Sequence, residues 1–195
     1  MQRRLMILAL LAALAVSGAA LWTLNRSVPV ANPSVNIGGP FRLVDHHAKP
    51  VTEADFRGRH MLVFFGYTYC PDVCPTAMQT VSEALDMLGK EAGNIRPVFI
   101  SVDPDRDTPD VLKDFVANFH PSLTGLTGTP EQIKEVANAF RVYFGKVKPE
   151  GAEADEYLMN HTAGVYLMGP DGKFLTLFSH NVPPEDMAAK IKKLL

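Results

Sequence analysis

Cysteine is almost missing from this chain: of its 195 residues only Cys70 and Cys74 carry thiols. A disulfide-stapled secreted scaffold is therefore excluded, and whatever sulfur chemistry the protein performs rests on one local pair. An excess of one charge is missing as well, with 19 basic against 21 acidic residues and a formal net charge of -2. That balance excludes a protein built to hold a phosphate backbone, so nucleic acid is not expected as a partner. There is no internal repeat and no low-complexity tract, and the eight methionines do not gather into a methionine-rich metal motif. The composition that remains, 47% hydrophobic and 21% charged, is that of a globular protein rather than a disordered, collagenous or coiled-coil one. A single domain of roughly 150 residues fits the length and can bury a core without covalent staples.

The N-terminus predicts the compartment. Arg3 and Arg4 precede an uncharged, largely apolar run from Leu5 to Leu24. A helix of about 20 residues crosses a hydrocarbon core roughly 30 Å thick, whereas the core of a cleavable signal spans about 7–15 residues. Residues 5–24 are therefore expected to be a transmembrane anchor with Trp22 at the interface, and cleavage after Ser17-Gly18-Ala19 is the competing reading. Under the positive-inside rule residues 1–4 stay cytoplasmic, which predicts a single-pass protein of a bacterial-type inner membrane with its domain in the periplasm. No cysteine follows the apolar run, so a lipidated-cysteine anchor is not expected. Residues 25–40, with Pro29, Pro33 and Pro40 among Gly, Asn and Ser, read as a flexible tether, and residues 41–195 as the folded domain.

Within that domain Met61 to Phe65 and Val98 to Val102 are short apolar runs of the kind buried on both faces of a helix-covered sheet. Between them Met78, Val81, Leu85 and Leu88 recur at helical spacing, and Gly89 is placed to stop the helix. Thr108-Pro109 signals a second helix, and Thr129-Pro130 with Gln132 in a capping box signals a third. Gly164 to Met168 and Phe174 to Phe178 flank Gly169-Pro170-Asp171-Gly172-Lys173, a β-hairpin pattern, and a last helix is expected from about Pro184 to Leu195. The order predicts an α/β, thioredoxin-like fold: a central mixed sheet flanked by helices, with a cysteine pair directly after the first central strand.

Cys70-Pro71-Asp72-Val73-Cys74-Pro75 thus sits where a buried strand ends and a helix begins. The helix N-terminus favours thiolate over thiol, making the pair nucleophilic and a good soft-metal donor. Three uses are open. A structural disulfide would stabilise little, because the closed loop is so short. Thiol chemistry alone is the second, although Val63 and Tyr67 stand where a peroxiredoxin motif needs Pro and Thr or Ser, and no proline precedes Gly164 to Met168 as it would in a disulfide exchanger. His161 stands at that place instead. Two thiolates and an imidazole around one point would form a soft site suited to Cu(I), whereas zinc would want a fourth ligand.

Several blocks in order are more specific than the cysteines alone. Gly66-Tyr67-Thr68 before the Cys-x3-Cys, then Phe99 to Thr108 (FISVDPDRDT), Leu126-Thr127-Gly128-Thr129, and His161-Thr162 before Gly169-Pro170-Asp171-Gly172 resemble the Sco/SenC copper-chaperone family from roughly Phe41 to the C-terminus. The resemblance implies a membrane-tethered, thioredoxin-like domain that binds copper, as Cu(I) and also Cu(II), through Cys70, Cys74 and His161. It implies help in assembling the binuclear copper centre of cytochrome c oxidase subunit II, with a periplasmic copper carrier and a thiol reductant as further partners. Cys70 and Cys74 would then be a redox-active dithiol gating metal binding, in an assembly factor rather than a turnover enzyme. The alternative is a membrane-tethered thiol-disulfide oxidoreductase that reduces the oxidase copper-site cysteines. Asn160 departs from the acidic residue that family members often carry before the histidine, keeping hydrogen-bonding capacity without the charge.

Other candidates have plainer uses. His46-His47 reads as a solvated turn, His120 before Pro121 as a helix-end cap, and Met78 as core, while Met159 is open as a thioether donor. Asp103, Asp105 and Asp107 lack the Gly and Glu of a calcium loop and read either as an acidic docking surface or as charge compensation at a helix start. Glu150 to Glu156 is expected to be a solvated acidic loop able to cover or expose His161.

Overall fold

A computed structural model describes residues 36–148, 150–151 and 156–195, together with Gln2. The expected anchor at 5–24 and most of the expected tether lie outside the described residues. Among the described residues no helix is long and apolar enough to cross a membrane.

Residues 36–195 form one compact unit. The strands are β1 (Arg42–Asp45), β2 (Pro50–Thr52), β3 (His60–Gly66), β4 (Ile95–Ser101), β5 (Thr124–Thr127), β6 (Phe144–Val147), β7 (Leu158–His161), β8 (Gly164–Met168) and β9 (Phe174–Ser179). The helices are α1 (Val73–Leu88), α2 (Pro109–Val116), α3 (Pro130–Ala139) and α4 (Pro184–Lys192), with 3-10 turns at Glu53–Phe56 and Gly89–Asn94. Seven strands form one sheet in the order β2-β1-β5-β4-β3-β8-β9, and β6 with β7 makes a separate two-stranded sheet. β3, β4 and β5 run parallel, while β1, β2, β8 and β9 join antiparallel. The mixed, helix-flanked sheet expected from the sequence is therefore present.

The two apolar runs became the central strands for the reason they are apolar. All of β3 is buried, and Phe64 lies opposite Phe99, and Phe65 opposite Ile100, in the parallel register with β4. Burying a side chain of this size contributes roughly 1.5–3 kcal/mol, so this stripe dominates the core. α1 turns Met78, Val81 and Leu85 inward and packs against α4. It stops at Gly89, whose φ of +54° is cheap only for a residue without a side chain.

The caps formed as expected. Thr108 Oγ1 accepts the Val111 N–H at 3.3 Å, and Thr129 and Gln132 cap each other reciprocally. The last helix ends at Lys192, short of the expected Leu195. The short, half-exposed strands β6 and β7 follow no pattern strong enough to be expected from sequence, yet their two-stranded sheet carries His161 at its end.

Candidate metal centre

β3 delivers the chain to the carboxyl edge of the sheet at Gly66, and the segment Tyr67 to Asp72 crosses to the start of α1. Cys74 is the second residue of that helix and is fully buried, whereas Cys70, on the preceding loop, is half-buried. Both are free thiols. Gly66 makes room for Cys74: a methyl built on it would lie 2.8 Å from Cys74 Sγ and 2.7 Å from a Phe64 ring carbon.

β8 pairs antiparallel with β3, Val165 opposite Phe64, so the residues before β8 emerge at the edge where the thiols lie. His161 is consequently brought within reach, its Nε2 3.5 Å from Cys74 Sγ. The donor atoms of Cys70, Cys74 and His161 all lie within 4.8 Å of one another, and among the described residues no other group of three His, Cys, Asp or Glu converges this way. The other ring nitrogen, Nδ1, is 3.2 Å from the Thr162 carbonyl oxygen. In the metal-free dithiol an Nε2–H faces the sulfurs; a neutral ring that instead keeps its proton on Nδ1, donated to that carbonyl, would turn the Nε2 lone pair to a bound cation, the arrangement that orients a ligating imidazole. The rings of Phe64 and Tyr67 stand edge-to-face against the imidazole at 6.0 and 5.9 Å and hold its plane.

The two thiols differ in acidity. Cys70 is held down to about 3, chiefly by the hydrogen bond from the Cys74 thiol, with His161 and the backbone N–H groups of Asp72 and Cys74 adding to it against burial. The Cys74 N–H points at Cys70 Sγ at 3.4 Å. Cys74 moves the other way, raised by its bond to the Cys70 thiolate and by burial. The expectation that the helix start acidifies the pair is met in direction for Cys70 alone, where the Cys74 thiol contributes more than the helix-start N–H groups, and it fails for Cys74, whose second negative charge is opposed by burial and by the first. The site can present one nucleophilic thiolate beside a protected thiol, or, once a cation replaces the remaining thiol proton, two thiolates and an imidazole. Beside it opens a hollow of about 410 Å³ lined by Tyr67, Cys70, Val147, Leu158, Met159 and His161 among others.

The aspartates of the loop after β4 are not the acidic surface considered above. Asp103 and Asp107 are buried, and only Asp105 is exposed, paired with Lys146 at 2.7 Å. Asp107 accepts from Ser101 Oγ at 2.6 Å, Thr68 Oγ1 at 2.6 Å and the Thr68 N–H at 3.1 Å, tying the cysteine loop to the end of β4. Burial pulls these groups inward because each carboxylate finds donors there. Nothing in the sequence distinguished Asp107 from its neighbours, although Thr68 stands two residues before Cys70.

The remaining candidates are placed apart from the centre. His46 accepts the Gly125 N–H on Nδ1 at 3.1 Å and is more than a solvated turn residue, and His120 closes a turn through Ser122 at 2.7 Å. Met78 is core, and Met159 is buried at the wall of the hollow. Of the expected acidic loop, residues 152–155 lie outside the described residues.

Known proteins are similar to this chain in sequence and fold. The SCO1/SenC family model matches residues 30–195. Protein sco1 of Schizosaccharomyces pombe is 42% identical over 156 residues, 80% of this chain and 59% of the relative. The chain spans only 52–59% of the length of that protein and of two further relatives, from Saccharomyces cerevisiae and Homo sapiens. The structure of Bradyrhizobium japonicum ScoI with copper bound is 46% identical at a TM-score of 0.74, covering 82% of this chain and 99% of ScoI. BsSco, a member of the Sco family of cytochrome c oxidase assembly proteins in which a disulfide switch has been identified, is 30% identical at a TM-score of 0.63, covering 83% of this chain and 95% of BsSco. With the family match running over most of its length and the thioredoxin-like fold shared, the chain belongs to the SCO1/SenC family.

Proposed function

We propose that this chain is a membrane-tethered copper metallochaperone that helps assemble the binuclear copper centre of cytochrome c oxidase subunit II. Copper is its cargo, held by Cys70, Cys74 and His161. The observation that carries the reading is the approach of His161 Nε2 to 3.5 Å from Cys74 Sγ across 87 residues of sequence. A soft pair of thiolates with one imidazole suits Cu(I) better than zinc, calcium or magnesium, and the relative solved with copper bound supports that choice. Loading displaces the thiol proton of the pair, so affinity rises with pH, and oxidation to a Cys70 to Cys74 disulfide removes both sulfur donors. Under this reading residues 5–24 anchor the domain in the inner membrane facing the periplasm, where a copper carrier and a thiol reductant serve it. Protease access from the periplasmic side of intact membranes tests the anchor, and recovery of a shortened soluble chain would overturn it.

A second reading has its own support. The half-buried, acidified Cys70 beside the buried, proton-holding Cys74 is also the asymmetry of a thiol-disulfide reductase acting on the oxidase copper-site cysteines. His161→Ala separates the two. The chaperone reading expects Cu(I) affinity to fall by more than the roughly 10–100-fold that loss of an outer partner costs, together with failure to restore the oxidase copper centre in cells lacking the parent protein. A folded variant that binds Cu(I) as tightly as the parent and restores assembly overturns the site. One that binds poorly yet restores assembly hands the function to the reductase.

A further inference from the structure

His161 is the one proposed ligand outside the Cys-x3-Cys segment, and the two-stranded sheet that carries it is not part of the main sheet. An isolated two-stranded hairpin is marginal in water, so something must fasten it. We infer that Arg106 is a positioning residue for His161, acting through Tyr157; the inference rests on the copper reading above.

Arg106 lies on the loop after β4, and Tyr157 immediately precedes β7. The guanidinium is engaged through Nε, Nη1 and its flat face. Nε is paired with the buried Asp103 carboxylate, and Nη1 donates to the Tyr157 carbonyl oxygen at 3.1 Å. Its plane covers the Tyr157 ring at 3.7 Å from the centroid, and the Tyr157 hydroxyl donates back to Asp103 Oδ1 at 2.8 Å. Tyr157 is thus closed into a ring of contacts with Asp103 and Arg106, on a loop rooted in the central strand β4. From the other strand of the hairpin Lys146 lies 4.4 Å over the same tyrosine ring and pairs with Asp105.

The opposite reach of Arg106 is toward the cysteine loop, with Tyr69 at 4.8 Å and Tyr67 at 5.9 Å from the guanidinium carbon. Nη2 is buried and without a hydrogen-bond partner among the described residues, so the surrounding aromatic faces are what stabilise that side of the cation. Tyr67 in turn stands edge-to-face against His161. One cation therefore links both halves of the site: it holds the start of β7, whose last residue is His161, and the aromatic side chain against which the imidazole rests. Without it the hairpin keeps its own pairing but loses the anchor that sets the imidazole over the thiols, and Asp103 is left as a buried, half-paired charge.

The test uses the reduced full-length protein in detergent, comparing the parent with Arg106→Gln, Arg106→Lys, His161→Ala and the double variant Arg106→Gln/His161→Ala. Cu(I) affinity is measured by competition, and nitrogen and sulfur ligands to copper are counted by X-ray absorption. Arg106→Gln is expected to weaken Cu(I) binding about 10–100-fold and to reduce the nitrogen contribution while both sulfurs remain. Added to His161→Ala it should cost nothing further, since no imidazole is left to position. Arg106→Lys keeps the charge against Asp103 but loses the planar stack and the fork, so it should melt near the parent and bind with intermediate affinity. It decides by the same criteria should the Gln variant fail to fold. Unchanged affinity and ligand count in the folded Arg106 variants overturn the inference while leaving the copper reading intact. An equal loss in the His161→Ala background also overturns it, showing general damage instead of positioning. A parent protein that binds no Cu(I) overturns the copper reading and this inference with it.

Discussion

Gly66 and Cys74 approach so closely that a side chain on the first would collide with the sulfur of the second: a Cβ at position 66 would lie 2.8 Å from Cys74 Sγ, and 2.9 Å from a carbon of the Phe99 ring. The last residue of the central strand thereby determines where the buried thiol can sit. Because its neighbours are core rings and a helix-borne sulfur, none can yield without moving a packed element.

Gly66→Ala is accordingly expected to destabilise the protein by about 1–3 kcal/mol, the ordinary cost of overpacking, and to weaken Cu(I) binding by shifting Cys74. Thermal melts of the reduced protein with a Cu(I) competition titration check both. A variant with the parent melting temperature and affinity would show that the core yields freely here.

Cys70 and Cys74 should separate by reactivity. With Cys70 held down to about 3, its thiolate is complete across the accessible pH range and is lost only as pH falls toward that value. Iodoacetamide should therefore modify Cys70 at a nearly constant rate from about pH 5 to 8, leaving the buried Cys74 untouched until denaturant is added. Peptide mass spectrometry of the reduced, metal-free protein gives the rates. A rate climbing tenfold per pH unit would assign Cys70 an ordinary thiol.

Asp107 should leave its mark on stability. Burial raises its carboxyl above the ordinary aspartate value of 3.8, against the opposing pull of Ser101 and Thr68. An acid shifted upward binds its proton more tightly in the native than in the unfolded chain. Its contribution is fully present below the ordinary value and declines as pH rises through the native one. Asp107→Asn should cost about 1–3 kcal/mol at neutral pH, because three donors lose a matched acceptor. The gap between parent and variant should widen as pH falls from about 7 to about 4. Urea denaturation across that range reads it, and a gap that narrows would mean an acid held below its ordinary value.

Much of the scaffold could be read without coordinates. β3 and β4 were legible from almost uninterrupted apolar runs, α1 from its spacing, and α2 and α3 from Thr108 and Thr129, because each signal spans a few residues and acts within them. The cysteine pair at the strand-to-helix junction was legible for the same reason. His161 was legible as a candidate only through its place before β8 and the family resemblance.

The sequence by itself determined the apolar strands, the capped helices, the soft donors and their order along the chain, since these follow from local spacing and side-chain chemistry. Tertiary structure alone decided which donors meet. The antiparallel register that sets Val165 opposite Phe64 carries His161 to the thiols, a relation no local pattern encodes. It also decided that Asp103 and Asp107 turn inward to buried donors while Asp105 stays outside, and that Arg106 meets Tyr157 from 51 positions away. The division of acidity between Cys70 and Cys74 belongs with these, because burial and the distance between two charges are properties of the folded chain.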